Sequence, residues 1–237
     1  MNNFPTKFNV CVTNPPYLAQ NSAKRRKIDY PDIKYDDLYK FALQKCLDNC
    51  DYVAAIIPAS FINAKIFTDR LSSYILLNAK MFNDTDHPVC LALFTKNSTK
   101  TQIFDNQKYL GLLDDLQKQL PKTHKKTTID IKFNDKTGKL GLIAIDNTKE
   151  SSIKFCHGDM INPNKISHSS RSITRITIDA DIDKLIIKLN DRLTKLRHQT
   201  ADIFLTPFKG LRADNKYRRR LDYKMARNVI NEVYFSL

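Results

Sequence analysis

Glycine is scarce in this 237-residue chain: there are five, and none precedes Gly111. Backbone that comes close to a nucleotide or phosphate needs glycine, because a Cβ would stand in the way. The stretch before Gly111 therefore excludes a glycine-rich cofactor loop. Gly111, Gly138, Gly141, Gly158 and Gly210 include no close-spaced pair that opens a helix. Cysteine is also sparse, odd in number and scattered (Cys11, Cys46, Cys50, Cys90, Cys156), with only Cys46 and Cys50 one helical turn apart. This excludes a disulfide framework and a zinc knuckle and leaves core packing as the expected role. His124, His157 and His168 lack ligand spacing and are expected in loops. No apolar run approaches membrane-spanning length, and the N-terminus lacks a basic-then-apolar leader, so no membrane association and a cytoplasmic location are expected. Negative charge is short too: 25 acidic against 39 basic residues leave a formal net charge of +14. That balance suits a polyanionic partner, with nucleic acid first among them. A Lys-rich compositional bias would give the same number, so charge alone does not decide.

What the chain does have is 42% hydrophobic residues, enough for a core, and one unusual tetrapeptide. Asn14-Pro15-Pro16-Tyr17 ends the strand-like run Phe8-Asn9-Val10-Cys11-Val12-Thr13. Each proline fixes its own φ and has no N–H, and each holds the residue before it extended. Such a turn offers oxygens and withholds donors. The Asn14 side-chain carbonyl and the Pro15 backbone carbonyl can face one ligand group, with the Tyr17 ring beside them as a stacking surface. That arrangement suits a planar molecule carrying an NH₂ group. Pro-Pro alone is often only a stop signal, but the full tetrapeptide would arise by chance in such a chain about once in a thousand times. It also follows a strand directly, where α/β enzymes place their chemistry.

With these residues the chain resembles the S-adenosylmethionine-dependent amino-methyltransferases, above all the adenine-N6 DNA methyltransferases of restriction-modification systems. The likeness is specific at Asn14-Pro15-Pro16-Tyr17, moderate to about residue 96 and weak beyond. It implies an α/β fold: a partial class I (Rossmann-like) sheet in residues 1–99, then a smaller α+β target-recognition region in residues 100–237. It implies that Asn14 and Pro15 accept the two N–H bonds of a flipped adenine, with Pro16 stiffening the turn and Tyr17 stacking on the base. Phe82 matches the place of a second base contact, and Asp37 and Phe41 match the helix that borders the cofactor. Double-stranded DNA is the implied substrate, contacted by Lys24, Arg25, Arg26 and Lys27, by Lys125 and Lys126, and by Arg212, Arg218, Arg219 and Arg220 in the tail. No metal is implied.

The remaining pattern is read from periodicity. Residues 18–34 are polar and loop-like, and residues 36–49 have helical spacing with Asp36 and Asp37 at the positive end of the dipole. Residues 52–58 form a continuous apolar run suited to a strand buried on both faces. A helix is predicted over 64–76, then two short strands at 79–82 and 89–94, a linker at 97–101, and a helix over 107–120. A hairpin is predicted over 127–145, strands near 153–156 and 173–178, and helices over 181–197 and 222–235.

Methyltransferases of this class hold their cofactor on the glycine loop that this chain lacks, and no permuted copy follows the catalytic motif. The expectation is therefore a C-terminal part of a longer enzyme, or a subunit, whose cofactor half lies on a second polypeptide. Residues 8–13 would then form an open sheet edge. Two other readings remain at this stage. One is a non-catalytic DNA-binding or specificity fragment that uses residues 100–237. The other is a methyltransferase acting on a protein glutamine or on RNA guanine, since each also presents a planar NH₂.

Overall fold

The computed structural model describes residues 8–79, 81–82, 87–121 and 129–236. The chain divides into two compact units, residues 1–115 and 116–237. The division falls past the expected 99/100 boundary because residues 102–112 pair into the sheet of the first unit.

The first unit is built on a mixed six-stranded sheet. Its strands are β1 (Val10–Thr13), β2 (Tyr52–Pro58), β3 (Leu71–Leu77), β4 (Val89–Phe94), β5 (Gln102–Asp105) and β6 (Lys108–Leu112), in the order β1-β2-β4-β3-β5-β6. β1 runs parallel to β2, and β4 lies antiparallel between β2 and β3. Val53, Ala55 and Ile57 on β2 and Cys90, Ala92 and Phe94 on β4 are buried, each set the alternate residues on one face of its strand. α1 (Gln20–Arg26) and α2 (Leu38–Asn49) lie between β1 and β2 in the chain. α2 packs on β2 and buries Tyr39, Ala42, Leu43, Cys46 and Leu47, while Leu38 and Phe41, also apolar at helical spacing, are half-buried. Its C-terminal end is closed by Arg70, whose guanidinium donates to the carbonyls of Leu47 (2.7 Å), Cys50 (2.8 Å) and Asp51 (2.9 Å).

β1 stands at the edge of this sheet, paired with β2 alone among the described strands. Phe8, Val10 and Val12 are 63%, 60% and 82% exposed, so the edge expected for residues 8–13 is open and apolar.

The second unit carries a four-stranded antiparallel sheet of β7 (Lys132–Phe133), β8 (Leu140–Ile143), β9 (Lys154–His157) and β10 (Ile173–Thr177), ordered β7-β10-β8-β9. α4 (Ile182–Thr200) and α5 (Tyr223–Tyr234) share one core with it: Leu185, Leu189, Leu193 and Leu196 of α4 and Val229 and Ile230 of α5 meet Leu140, Leu142, Phe155 and Ile176. A separate ribbon of β11 (Thr206–Leu211) and β12 (Tyr217–Arg220) precedes α5. α3 (Leu113–Gln117) crosses the boundary between the units.

Several expectations from periodicity are corrected. Part of the loop expected at residues 18–34 is α1. In place of the helix expected over 64–76 stand a 3-10 turn at Ala59–Asn63 and then β3, whose bulge between Leu71 and Ser73 puts Leu71 on the face of Tyr74 and Leu76, a three-residue step that also fits a helix. Of the strands at 79–82 and 89–94, only the second forms, as β4. The helix over 107–120 is β6 and the short α3, and the hairpin over 127–145 is replaced by β7 and β8 with β10 inserted between them. The strands near 153–156 and 173–178 and the helices at 181–197 and 222–235 match β9, β10, α4 and α5.

Candidate functional site

Because β1 and β2 are parallel, their carboxyl ends lie together, and the register adds two further segments. Pro58 pairs with Val89 and Leu77 pairs with Val89, so the exit of β3 and the entry to β4 reach the same end of the sheet. Asn14 to Tyr17, the turn at Ala59–Asn63 and residues 78–79 and 81–82 are thereby gathered at one end.

At that end Asn14 is exposed, Pro15 buried, Pro16 exposed and Tyr17 half-buried. The Tyr17 hydroxyl lies 2.7 Å from Asn14 Oδ1 and 2.6 Å from the Ile56 carbonyl oxygen of β2. The Tyr17 ring meets Tyr39 of α2 and Phe82 edge-on, each at 6.3 Å between centroids. Such contacts contribute about 0.5–1.5 kcal/mol each beyond area burial. Burial, and then the neighbouring Cys90, hold the Tyr17 hydroxyl well above the ordinary tyrosine range, so it keeps its proton at any physiological pH. The structure thus brings Asn14, Tyr17 and Phe82 together. Phe82 sits outside any strand, half-buried, in the segment after β3.

Asp37 stands at the start of α2, the positive end of the helix, as its position before the helical spacing implied. It is the N-cap of α2, and its Oδ1 accepts from the N–H groups of Tyr39 (3.4 Å) and Leu18 (3.2 Å). Leu38 N–H donates to the Leu18 carbonyl and Gln20 N–H to the Asp36 carbonyl, so the chain leaving Tyr17 is stitched to the start of α2. Burial raises the Asp37 carboxyl above the usual range, against the lowering effect of those two N–H donors. Phe41 is half-buried with Lys45 Nζ 5.6 Å over its ring. Cys11 of β1 adjoins Cys46 of α2, whose thiol is pushed up to about 12 by burial first and by Cys11 second. These are packed thiols, as expected, and no group of His, Cys, Asp and Glu able to hold a metal ion occurs among the described residues.

The basic clusters separate sharply. Lys24, Arg25 and Arg26 form the last turn of α1, where the helix dipole favours cations, and Lys27 caps it in the left-handed region (φ 53°); all four are exposed. Lys125 and Lys126 lie outside the described residues. In the tail, Arg212 and Arg219 are buried, which corrects their expected role as phosphate contacts. Both bond to Asp146, itself fully buried, Arg212 through its guanidinium and Arg219 through its backbone N–H. Its carboxylate accepts from Arg197 Nη1 and Nη2 (both 2.9 Å), from Arg212 Nη1 (3.0 Å), and from the N–H groups of Ser152 and Arg219. Arg212 also holds Asp214 (2.8 Å). Burial works to raise the Asp146 carboxyl, but Arg197 and the N–H donors outweigh it and leave it below the usual range. Arg218 donates to the Asp146 backbone carbonyl (2.7 Å) and stacks on Phe208 at 5.1 Å. Arg220 is half-buried, its Nε without a hydrogen-bond partner.

Tyr39 and the Ile56 carbonyl are the parts of the site that sequence reasoning missed. Tyr39 was legible as a helix position beside the buried stripe, but a backbone oxygen of a distant strand leaves no trace in sequence.

Residues 2–87 match the family model described as Eco57I restriction-modification methylase. Among solved structures, the type I restriction-modification system methyltransferase subunit from Streptococcus thermophilus is similar at 18% identity with a TM-score of 0.29. That alignment covers 52% of this chain and 29% of the subunit, so the chain spans under a third of that protein's length. No curated protein matches the chain. The segment that is similar to restriction-modification methylases is the one that carries Asn14, Tyr17 and Phe82.

Proposed function

We propose that this chain carries the catalytic turn of a DNA adenine-N6 methyltransferase on a partial class I, Rossmann-like sheet, as the C-terminal part of a longer enzyme or as a subunit, and works together with a cofactor-binding half outside these 237 residues. The observation that carries it is the Asn14-to-Tyr17 turn at the carboxyl end of a parallel strand, with Phe82 against Tyr17. The match of residues 2–87 to a restriction-modification methylase model supports the same reading.

The amine of adenine is a weak nucleophile because its lone pair is delocalised into the ring. Acceptors placed on its two N–H bonds favour a pyramidal nitrogen and turn the lone pair outward. Asn14 and Pro15 are those acceptors, and Tyr17 and Phe82 supply the aromatic surface that holds a base out of the stack. S-adenosylmethionine, once bound, supplies an electrophilic methyl group for direct transfer. The open β1 edge is the place where the cofactor half adds its strand, covering Val10 and Val12. Exposed α1 brings Lys24 to Lys27 to the DNA backbone close in sequence to the turn.

Titrating labelled S-adenosylmethionine into the chain, with and without the polypeptide encoded immediately upstream, tests this. Tight binding only with the second polypeptide is expected. Tight binding by the chain alone overturns the two-part assembly.

A further inference from the structure

The Tyr17 hydroxyl touches two oxygens at short range, Asn14 Oδ1 at 2.7 Å and the Ile56 carbonyl at 2.6 Å. Contacts of that length each require a hydrogen between the heavy atoms. A phenol has one hydrogen, and a backbone carbonyl can only accept. If the proton goes to Asn14, the Ile56 contact is two oxygens facing each other with nothing between them. If it goes to Ile56, the same is true at Asn14, unless the amide is turned. A half-turn of the Asn14 amide exchanges its oxygen and nitrogen at nearly the same positions, and this torsion has a broad, roughly two-fold profile. Both contacts then become hydrogen bonds: Tyr17 donates to Ile56, and Asn14 Nδ2 donates to Tyr17.

We infer that Tyr17 is a positioning residue that draws the Asn14 NH₂ group inward and fixes its carbonyl oxygen outward, so that the turn presents acceptors only. Its meaning for catalysis rests on the proposed methyl transfer to an amine. The clamp selects for a substrate edge that donates N–H and against one that presents a carbonyl in the same place. The hydroxyl therefore has a duty separate from the stacking of the ring, and Tyr17→Phe removes one while keeping the other. The buried environment of the phenol keeps it protonated and able to serve in this way.

Nuclear magnetic resonance of the full chain, ¹⁵N-labelled at asparagine, reads the clamp directly, with Asn14 assigned by the signals lost in Asn14→Asp. In the wild type, one Asn14 side-chain proton is expected to exchange with solvent at least about tenfold more slowly than those of other exposed asparagines. In Tyr17→Phe that protection is expected to vanish while the remaining spectrum is kept. Free exchange of both Asn14 protons in the wild type overturns the inference, whether or not Tyr17→Phe folds. A second arm uses the chain with its cofactor half. There Tyr17→Phe is expected to lower kcat for DNA adenine methylation about tenfold with KM nearly unchanged. An unchanged kcat also overturns the inference. Absence of methyl transfer by the wild-type assembly would instead strike the proposed function, and the exchange measurement would still decide the clamp.

Discussion

Two aspartates, one in each unit, show how differently this chain uses charge. Asp37 accepts two backbone N–H groups and faces no guanidinium among its described bonds, and burial leaves its carboxyl raised. Asp146 is more deeply buried but is gripped by Arg197 and Arg212, and its carboxyl is lowered. Around Asp37 the structure organises an oxygen-rich turn with little charge. Around Asp146 it neutralises two arginines, Arg197 and Arg212, that lie far from the aspartate in the chain. The lesson is that an arginine counts toward a nucleic-acid surface only after its burial and its partners have been found. Arg212 and Arg219 build the fold of the second unit, whereas the shorter run on α1 remains at the surface.

The contrast can be broken from either side. The largest effect is expected from Asn14→Ala in the assembled enzyme: methyl transfer falls at least about a thousandfold while duplex binding is retained, as loss of an acceptor at the reacting atom requires. Filter binding and transfer of labelled methyl groups measure the two separately. Next comes Asp146→Asn, which leaves two buried guanidinium groups short of a countercharge and should cost about 3–5 kcal/mol in urea unfolding of the second unit. Asp37→Ala, losing a helix cap, should cost about 1 kcal/mol.

Replacing Lys24, Arg25, Arg26 and Lys27 by alanine should reduce the slope of log affinity for duplex DNA against log salt by about 3 to 4. Arg212→Ala should lower stability and leave that slope nearly unchanged. The smallest effect is in pH. The lowered Asp146 carboxyl contributes stability that is present above about pH 3.9, the unfolded value, and is lost as pH falls through its folded value. The raised Asp37 carboxyl does the reverse: its contribution is present below about pH 3.9 and is lost as pH rises through its folded value. Urea midpoints from pH 3 to 7 should therefore move in opposite directions in Asp37→Asn and Asp146→Asn relative to the wild type.

The motif and much of the framework were legible in the sequence. Two prolines after an apolar run mark the end of β1, the stripe Ala42, Leu43, Cys46 and Leu47 marks α2, and Leu185 to Leu196 marks α4. β3 was hidden because a bulge between Leu71 and Ser73 sets Leu71 on the same face as Tyr74, and that three-residue step fits helical spacing. The order of the second sheet was hidden because β10, some thirty residues after β8, inserts beside it, and only long-range pairing decides that. The tail was misread because Asp146 lies 66 residues before Arg212, and no local pattern links them.

The central claim is that Asn14 acts on the amine of adenine in an assembly completed across β1. Mass spectrometry of nucleosides from DNA of cells that lack adenine methylation, expressing the chain with its upstream cofactor half, tests it most directly. N6-methyladenine is expected with the wild type and at background with Asn14→Ala. Equal N6-methyladenine in both, or none with the complete wild-type assembly, would contradict the account.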